Sequence, residues 1–274
     1  MSPTWRSSDE PAMPPVSPAG WLRVTLRGLV LLVLLGAGLV VLGGVRLPER
    51  LIVGPRRPVS PQVVRGVSRA ALAIIGIGYR KTGQPLRGAG AMVANHSSWL
   101  DIFALNAGGR VCFVAKAEVA GWPGIGWLAR AAGTVFIARD SRQARAHVAI
   151  FRARLAVGDR LLFFPEGTST DGQRVLPFKT TLFEALLDPA LRDGLQLQPV
   201  SVVWRAPAGA DARFYGWWGD MGFGPHLLAM LAAPRHGTVT VVYHAPLSVA
   251  AHPGRKQLAA AAEAAVRAGM TARV

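Results

Sequence analysis

Eighteen consecutive residues without a charge, Gly28 to Val45, constrain this chain more than any other feature of its sequence. Coiled as a helix at about 1.5 Å per residue they reach about 27 Å, close to the ~30 Å hydrocarbon core of a bilayer. Trp21 and Leu22 extend the run, with Trp21 at the interface and Arg23 and Arg27 snorkelling toward it. The run is longer than the apolar core of a signal peptide, and no A-x-A site follows before Arg46. Residues 21–46 are therefore expected to form an uncleaved membrane anchor. Gly36-Ala37-Gly38 and Gly43-Gly44 would let a second helix approach closely.

Arg46, Arg50, Arg56, Arg57, Arg65 and Arg69 follow the run, whereas only Arg6, Arg23 and Arg27 precede it. That asymmetry places the C-terminal bulk on the cytoplasmic face, for a bacterial chain that of the inner membrane. A second apolar stretch, Ala70 to Tyr79, is too short to cross. It reads as an amphipathic or re-entrant helix with Arg65, Arg69 and Arg80 toward headgroups, making 47–84 a basic membrane-surface segment. Residues 1–20 hold five prolines and four serines and read as a disordered tail.

The net charge is +16, from 31 basic and 15 acidic residues. An excess of this size favours anionic membrane lipids or a phosphorylated substrate, unless it reflects only a bias toward Arg. The basic residues are spread along the chain without an aromatic-interleaved block, which argues against nucleic acid. Cys112 is the single cysteine, so neither an intrachain disulfide nor a cysteine zinc cluster is available, and its apolar neighbours mark it as a core thiol.

Past Gly83, short apolar runs alternate with helical patterns. The strand candidates are Ala91–Ala94, Val111–Ala115, Thr134–Ala138, Arg160–Phe164, Leu197–Trp204 and Thr238–Tyr243. Ser141–Val157 carries Ala144, Val148, Phe151 and Leu155 at helical spacing, with Arg142, Arg145, Arg152 and Arg154 on the other face. Arg255–Ala268 reads as a closing helix. This alternation predicts an α/β fold, a mainly parallel sheet flanked by helices, behind an N-terminal transmembrane or membrane-embedded helix.

Four blocks carry chemistry. Asn95-His96-Ser97-Ser98-Trp99-Leu100-Asp101 follows a strand directly, where α/β folds place their sites. Ser97 or Ser98 is a candidate cap for the next helix, and Asp101, a little over one turn in, can turn back to His96. Such a pair fixes one imidazole tautomer and lets His96 act as general base toward a hydroxyl attacking a carbonyl. The second block, Phe163 to Thr170, ends an apolar strand in Pro165-Glu166-Gly167. Glu166 there is either a solvated turn residue or a buried group held by hydrogen bonds. In the third, a strand from Thr134 ends in Arg139, which either clamps a phosphate or pairs with Asp140 or Glu166. The fourth, Gln198-Pro199-Val200-Ser201-Val202, is a strand wall. His147, His226, His236, His244 and His252 show no ligand-like spacing, and no metal site is expected. No G-x-S-x-G nucleophile elbow occurs.

In this order the four blocks resemble the glycerolipid acyltransferase family, of the 1-acyl-sn-glycerol-3-phosphate acyltransferase type. The family pattern is N-H-x4-D, G-x-x-F-I-x-R, F-P-E-G-T and a V-P-V-like strand, and the resemblance covers about residues 85–205. It implies an acyltransferase domain over 85–274 and a membrane-bound O-acyltransferase of phospholipid biosynthesis. Acyl-CoA or acyl-ACP would be the co-substrate, a lysolipid hydroxyl the acceptor, and no cofactor or metal would be needed. By the same resemblance His96 and Asp101 form the catalytic dyad, and Arg139, Glu166, Gly167 and Thr168 bind substrate. Where the family has Arg after Pro-Glu-Gly-Thr, this chain has Ser169. The stretch from Thr168 to Lys179 looks more like the lyso-ornithine lipid O-acyltransferase branch, whose acceptor lacks the phosphate. A non-catalytic lipid-binding adaptor would explain the charge and the anchor but not the ordered blocks.

Overall fold

The computed structural model describes residues 5–6, 15–122, 124–138 and 144–271. Most of the tail expected to be disordered lies outside them.

The N-terminal helix α1 runs over Pro18–Val53, well beyond the expected 21–46. Its start is set locally: Pro18 needs no donor at the first helical position, and Ser17 Oγ accepts from Gly20 N at 3.1 Å. Gly54, at φ 67°, ends it. By length and composition α1 can cross a membrane. Both ends of its apolar run are nevertheless bonded to one folded domain. At the front, Arg23 Nε donates to Ala232 O at 2.7 Å and Arg27 Nη1 to Leu231 O and Ala233 O at 2.9 and 2.7 Å. At the rear, Arg46 donates to Ala131 O, and Glu49 accepts from Ser60 N at 3.0 Å and from the Ser60 hydroxyl. A helix tied at both ends to the same body lies along it. Leu22, Leu26, Leu29, Leu32, Val33 and Val40 stay exposed on its outer side.

Helix α2, Ser60–Ile75, returns against α1, with the Glu49 carboxylate at its positive N-terminus. Of the glycines expected to admit a neighbour, Gly38 does so: a Cβ there would fall 2.8 Å from Val67 Cγ2, while Gly36, Gly43 and Gly44 face open space. The expected surface helix over Ala70–Tyr79 is not what forms. Gly76, at φ 101°, stops α2, and strand β1, Gly78–Thr82, follows. Leu72 and Ile75 are buried against the sheet, so this side of α2 meets protein.

The remaining elements are β2 (Gly90–Ala94), α3 (Asp101–Gly108), β3 (Cys112–Lys116), α4 (Ile125–Ala132), β4 (Val135–Ile137), α5 (Ala144–Ala156), β5 (Arg160–Phe163), α6 (Thr181–Leu186), α7 (Pro189–Arg192), β6 (Gln196–Arg205), α8 (Phe223–Ala232), β7 (Thr238–Tyr243), β8 (Leu247–Ser248) and α9 (Arg255–Thr271). All six strand candidates are present, within one or two residues of their expected bounds. The sheet order is β1-β7-β6-β2-β5-β3-β4, with β8 beside β6. From β6 to β4 every pairing is parallel, and β7 runs antiparallel to β6. Central β2 is buried on both faces, which is why it reads as an unbroken apolar run. Ala91 and Val93 face a core with Phe151, Phe183, Leu258 and Val266; Met92 and Ala94 face Leu72, Leu105 and Met230. Cys112 is a buried core thiol, as expected, with Sγ 3.3 Å from Gly133 O. On α5, Arg152 is exposed but Arg154 turns inward and reaches Gly133 O at 2.9 Å.

The α1–α2 contact yields a paired prediction. Gly38→Leu forces the helices apart and lowers stability by about 1–3 kcal/mol, whereas Gly36→Ala, facing open space, raises it by up to about 1 kcal/mol. Thermal unfolding of both variants in detergent reads the difference, and equal melting shifts would refute the close approach.

Candidate active site

Strand β2 ends at Ala94 between β5 and β6, and the next seven residues build the site at its C-terminal edge. Asn95 extends the pairing beyond the strand: its Nδ2 donates to Val202 O at 3.0 Å and its Oδ1 accepts from Val202 N at 2.8 Å. This holds the chain against β6 just where it must turn.

The turn is organised by Asp101. The expectation that a serine caps the helix and that Asp101 lies a turn inside it is corrected here. Helix α3 starts at Asp101, and no side chain caps it from Leu100. Instead the Asp101 carboxylate reaches back, with Oδ2 accepting from Ser97 N at 2.7 Å and Ser98 N at 3.0 Å. His96 Nδ1 lies 2.8 Å from the same oxygen, and Trp204 Nε1 donates to Oδ1 at 2.7 Å. Asp101 is fully buried. The two amides and the indole can only donate, so the carboxylate is fixed as acceptor. The His96 Nδ1 proton therefore points at Asp101 and the Nε2 lone pair is left for chemistry. The imidazole stacks on Phe164 at 4.0 Å between centroids, and its side chain stays 20% exposed, so the ring is held yet reachable.

Glu166 sits behind this pair. One oxygen accepts from His96 N at 2.8 Å and the other from Leu176 N at 2.8 Å, and the residue is 1% exposed. A side chain so enclosed holds the His96 backbone and the 176 loop. Burial pushes its carboxyl up to about 8, against the downward pull of the Leu176 and His96 amides. Gly167 takes φ 73°, a conformation that favours glycine, and its N–H bonds to Phe164 O at 3.1 Å, which removes that amide as a donor to a reacting oxygen. A Cβ on Gly167 would fall 2.8 Å from Lys179 Nζ. Thr168 Oγ1 accepts from Trp5 N at 3.3 Å and donates to Ser169 O at 3.3 Å. Arg139 lies outside the described residues. Of the cations following the missing Arg, Arg174 is paired with Asp171 at 2.9 Å and lies over the Trp5 ring.

Several supports of the site carried no sequence signal. Thr170 N donates to His96 O at 3.0 Å, and Trp217 N to Ser97 O at 2.8 Å, so three loops share one backbone network. Trp99 Nε1 donates to His226 Nδ1 at 2.9 Å. Burial lowers His226 to about 4, which suits a neutral ring accepting that bond. Trp99, Phe103 and Phe223 meet edge-on, at 6.1 and 5.3 Å from Trp99, and form an aromatic wall beside α3. Among the described residues no group of three or more His, Cys, Asp or Glu is placed to hold a metal.

A family model described as Acyltransferase matches residues 79–203. Over 268 residues the chain is 52% identical to the lyso-ornithine lipid O-acyltransferase of Rhodobacter capsulatus, covering 98% of this chain and 97% of that protein. This chain belongs to the acyltransferase family. The acyltransferase is also 41% identical over 133 residues to a 1-acyl-sn-glycerol-3-phosphate acyltransferase of Neisseria gonorrhoeae, covering 46% of this chain and 51% of that one. Its fold matches the crystal structure of the 1-acyl-sn-glycerophosphate acyltransferase of Thermotoga maritima, with a TM-score of 0.64 at 21% identity, over 91% of this chain and 95% of that one.

Two predictions follow from this geometry. Asp101→Asn turns an amide NH2 toward groups that only donate, and acyl transfer, measured as product formed, falls at least about 100-fold. For Glu166 the folded value of about 8 lies above the ordinary 4.5, so between these the folded acyltransferase holds more protons than the unfolded chain. Its contribution to stability is present below 4.5 and is lost as pH rises through 8. Glu166→Gln flattens this slope. His226 and His236, both lowered to about 4 by burial, add an opposite slope at acid pH that is common to both proteins and cancels in the difference. Parallel urea titrations across the window check the sign.

Proposed function

We propose that this acyltransferase moves a fatty acyl group from an acyl thioester, acyl-CoA or acyl-ACP, onto the hydroxyl of a lysolipid, and that this lysolipid is a lyso-ornithine lipid. The observation that carries the chemistry is the His96–Asp101 pair, with Nδ1 engaged at 2.8 Å and the other ring nitrogen reachable at the edge of the sheet. His96 Nε2 takes the acceptor hydroxyl proton as the oxygen attacks the thioester carbonyl. The tetrahedral adduct then expels the thiolate, breaking the C–S bond, and His96 returns the proton to sulfur. Glu166 and Thr170 act through His96 by holding its backbone.

The acceptor assignment rests on charge. Ser169 stands where the phosphatidate-forming pattern has Arg, Arg174 is paired with Asp171, and Lys179 is the cation that lies beside Gly167. Near-full-length similarity to the Rhodobacter capsulatus protein supports the same reading. The exposed apolar side of α1 would embed in one leaflet of the inner membrane, with the domain on the cytoplasmic face.

Competition between lysophosphatidate and lyso-ornithine lipid for a labelled acyl thioester, read by product mass spectrometry on purified membranes, tests this reading. Ornithine lipid is the expected main product, and His96→Ala lowers its formation by about 10²–10⁴. Dominant phosphatidate would refute the acceptor; an unimpaired His96→Ala would refute the mechanism.

A further inference from the structure

At the opposite end of the sheet from His96, where β3 and β5 begin, lies a cavity of about 660 Å³ lined by Arg46, Glu49, Arg50, Arg57 and Arg154, with Gly54 and Pro55. The five residues of β2, at about 3.3 Å each, set it roughly 15 Å from the catalytic edge. Nothing in the acyl-transfer chemistry uses it.

Its charge is one-sided. The Glu49 carboxylate is engaged by the start of α2, at Ser60 N and the Ser60 hydroxyl. Asp159, just behind the cavity and buried, is shared by Arg57 at 3.3 Å, Arg110 at 2.8 Å and Arg154 at 3.5 Å. Five guanidiniums thus surround two carboxylates, an excess of three positive charges. Arg50 lines the cavity with its side chain exposed and makes no ion pair among the described residues. A tetrahedral oxyanion offers several acceptors at once to guanidiniums gathered in this way.

Size and setting narrow the ligand. A volume of about 660 Å³ is of small-molecule dimensions and exceeds what a bare phosphate fills. Leu47, Leu51 and Ile52, 64%, 77% and 80% exposed, surround Arg50 on the same end of α1. An inorganic anion has no use for exposed apolar side chains beside its site, whereas acyl tails do.

We propose that this cavity binds the phosphodiester headgroup of an anionic phospholipid, with its tails along Leu47, Leu51 and Ile52. The site is separate from the one that binds acceptor and donor. The oxyanion chemistry is shared by a lipid headgroup and free phosphate, so the test separates them. The purified full chain in neutral detergent is titrated by calorimetry with dioctanoyl phosphatidylglycerol below its micellar concentration, with dioctanoyl phosphatidylcholine, and with inorganic phosphate. The expected result is saturable phosphatidylglycerol binding at least tenfold tighter than either alternative. Arg50→Gln and Arg50→Gln/Arg57→Gln raise its Kd tenfold or more, while Arg255→Gln, paired with Glu184 elsewhere on the surface, leaves it unchanged. Arg57 also touches Asp159, so the single variant, together with circular dichroism of both, separates lost binding from lost folding. Phosphate or phosphatidylcholine binding as tightly as phosphatidylglycerol, or variants binding like the wild type, would overturn the proposal. Acyl transfer is not the readout, so failure of the assigned reaction leaves this test intact.

Discussion

The buried carboxylate of Asp101 is the constraint around which the C-terminal edge of the sheet is arranged. Four N–H donors converge on its two oxygens, from His96, Ser97, Ser98 and Trp204. A carboxylate removed from water without such partners would cost several kcal/mol, so the loop is committed to the geometry that supplies them. One side chain thereby ends β2, begins α3, ties both to β6 and fixes the tautomer of the His96 ring. Helix initiation and orientation of the imidazole are one act here, because the amides that would be orphaned before the helix are those that orient the carboxylate.

A second carboxylate shows how environment divides similar groups between roles. Glu166 is as deeply buried as Asp101 but accepts one amide per oxygen, and burial dominates it. It serves as a strut between two loops, while Asp101 serves the imidazole. The Thr170 and Trp217 amides brace the same backbone from further loops, leaving His96 little freedom except at its open edge. Rigid support of this kind matters because misplacing a base by about 1 Å can cost a factor of 100 in rate.

How much of this was legible depended on how local the physics is. The six strands declare themselves because a doubly covered parallel sheet forces unbroken apolar runs. Strand β1 does not: its residues, Gly-Tyr-Arg-Lys-Thr, lie at the sheet edge with mostly exposed side chains, so no apolar pattern survives. The preceding apolar stretch then reads as helix past Gly76, whose left-handed turn is what stops it. The spacing of His96 and Asp101 is cheap by itself and gains meaning only from the strand before it and the blocks after it, but Trp204, 103 residues from Asp101, has no signature except the strand it lies in. The serines near His96 suggest a cap, and the true arrangement reverses the roles: serine amides donate and the aspartate accepts. For Glu166 the sequence left open a solvated turn residue or a buried, hydrogen-bonded group, because the amides that satisfy it, from His96 and Leu176, carry no signal of their own.

The two-ended attachment of α1 has a consequence for sidedness. A helix fastened at Arg23 and Arg27 in front and at Arg46 and Glu49 behind cannot thread a bilayer without tearing one attachment away. Under the proposed reading the enzyme touches a single monolayer, so acceptor and product enter and leave by lateral diffusion in that layer. Chemistry on this scaffold then adds lipid area to one side only. Any equalisation between the two monolayers becomes the work of separate transport machinery.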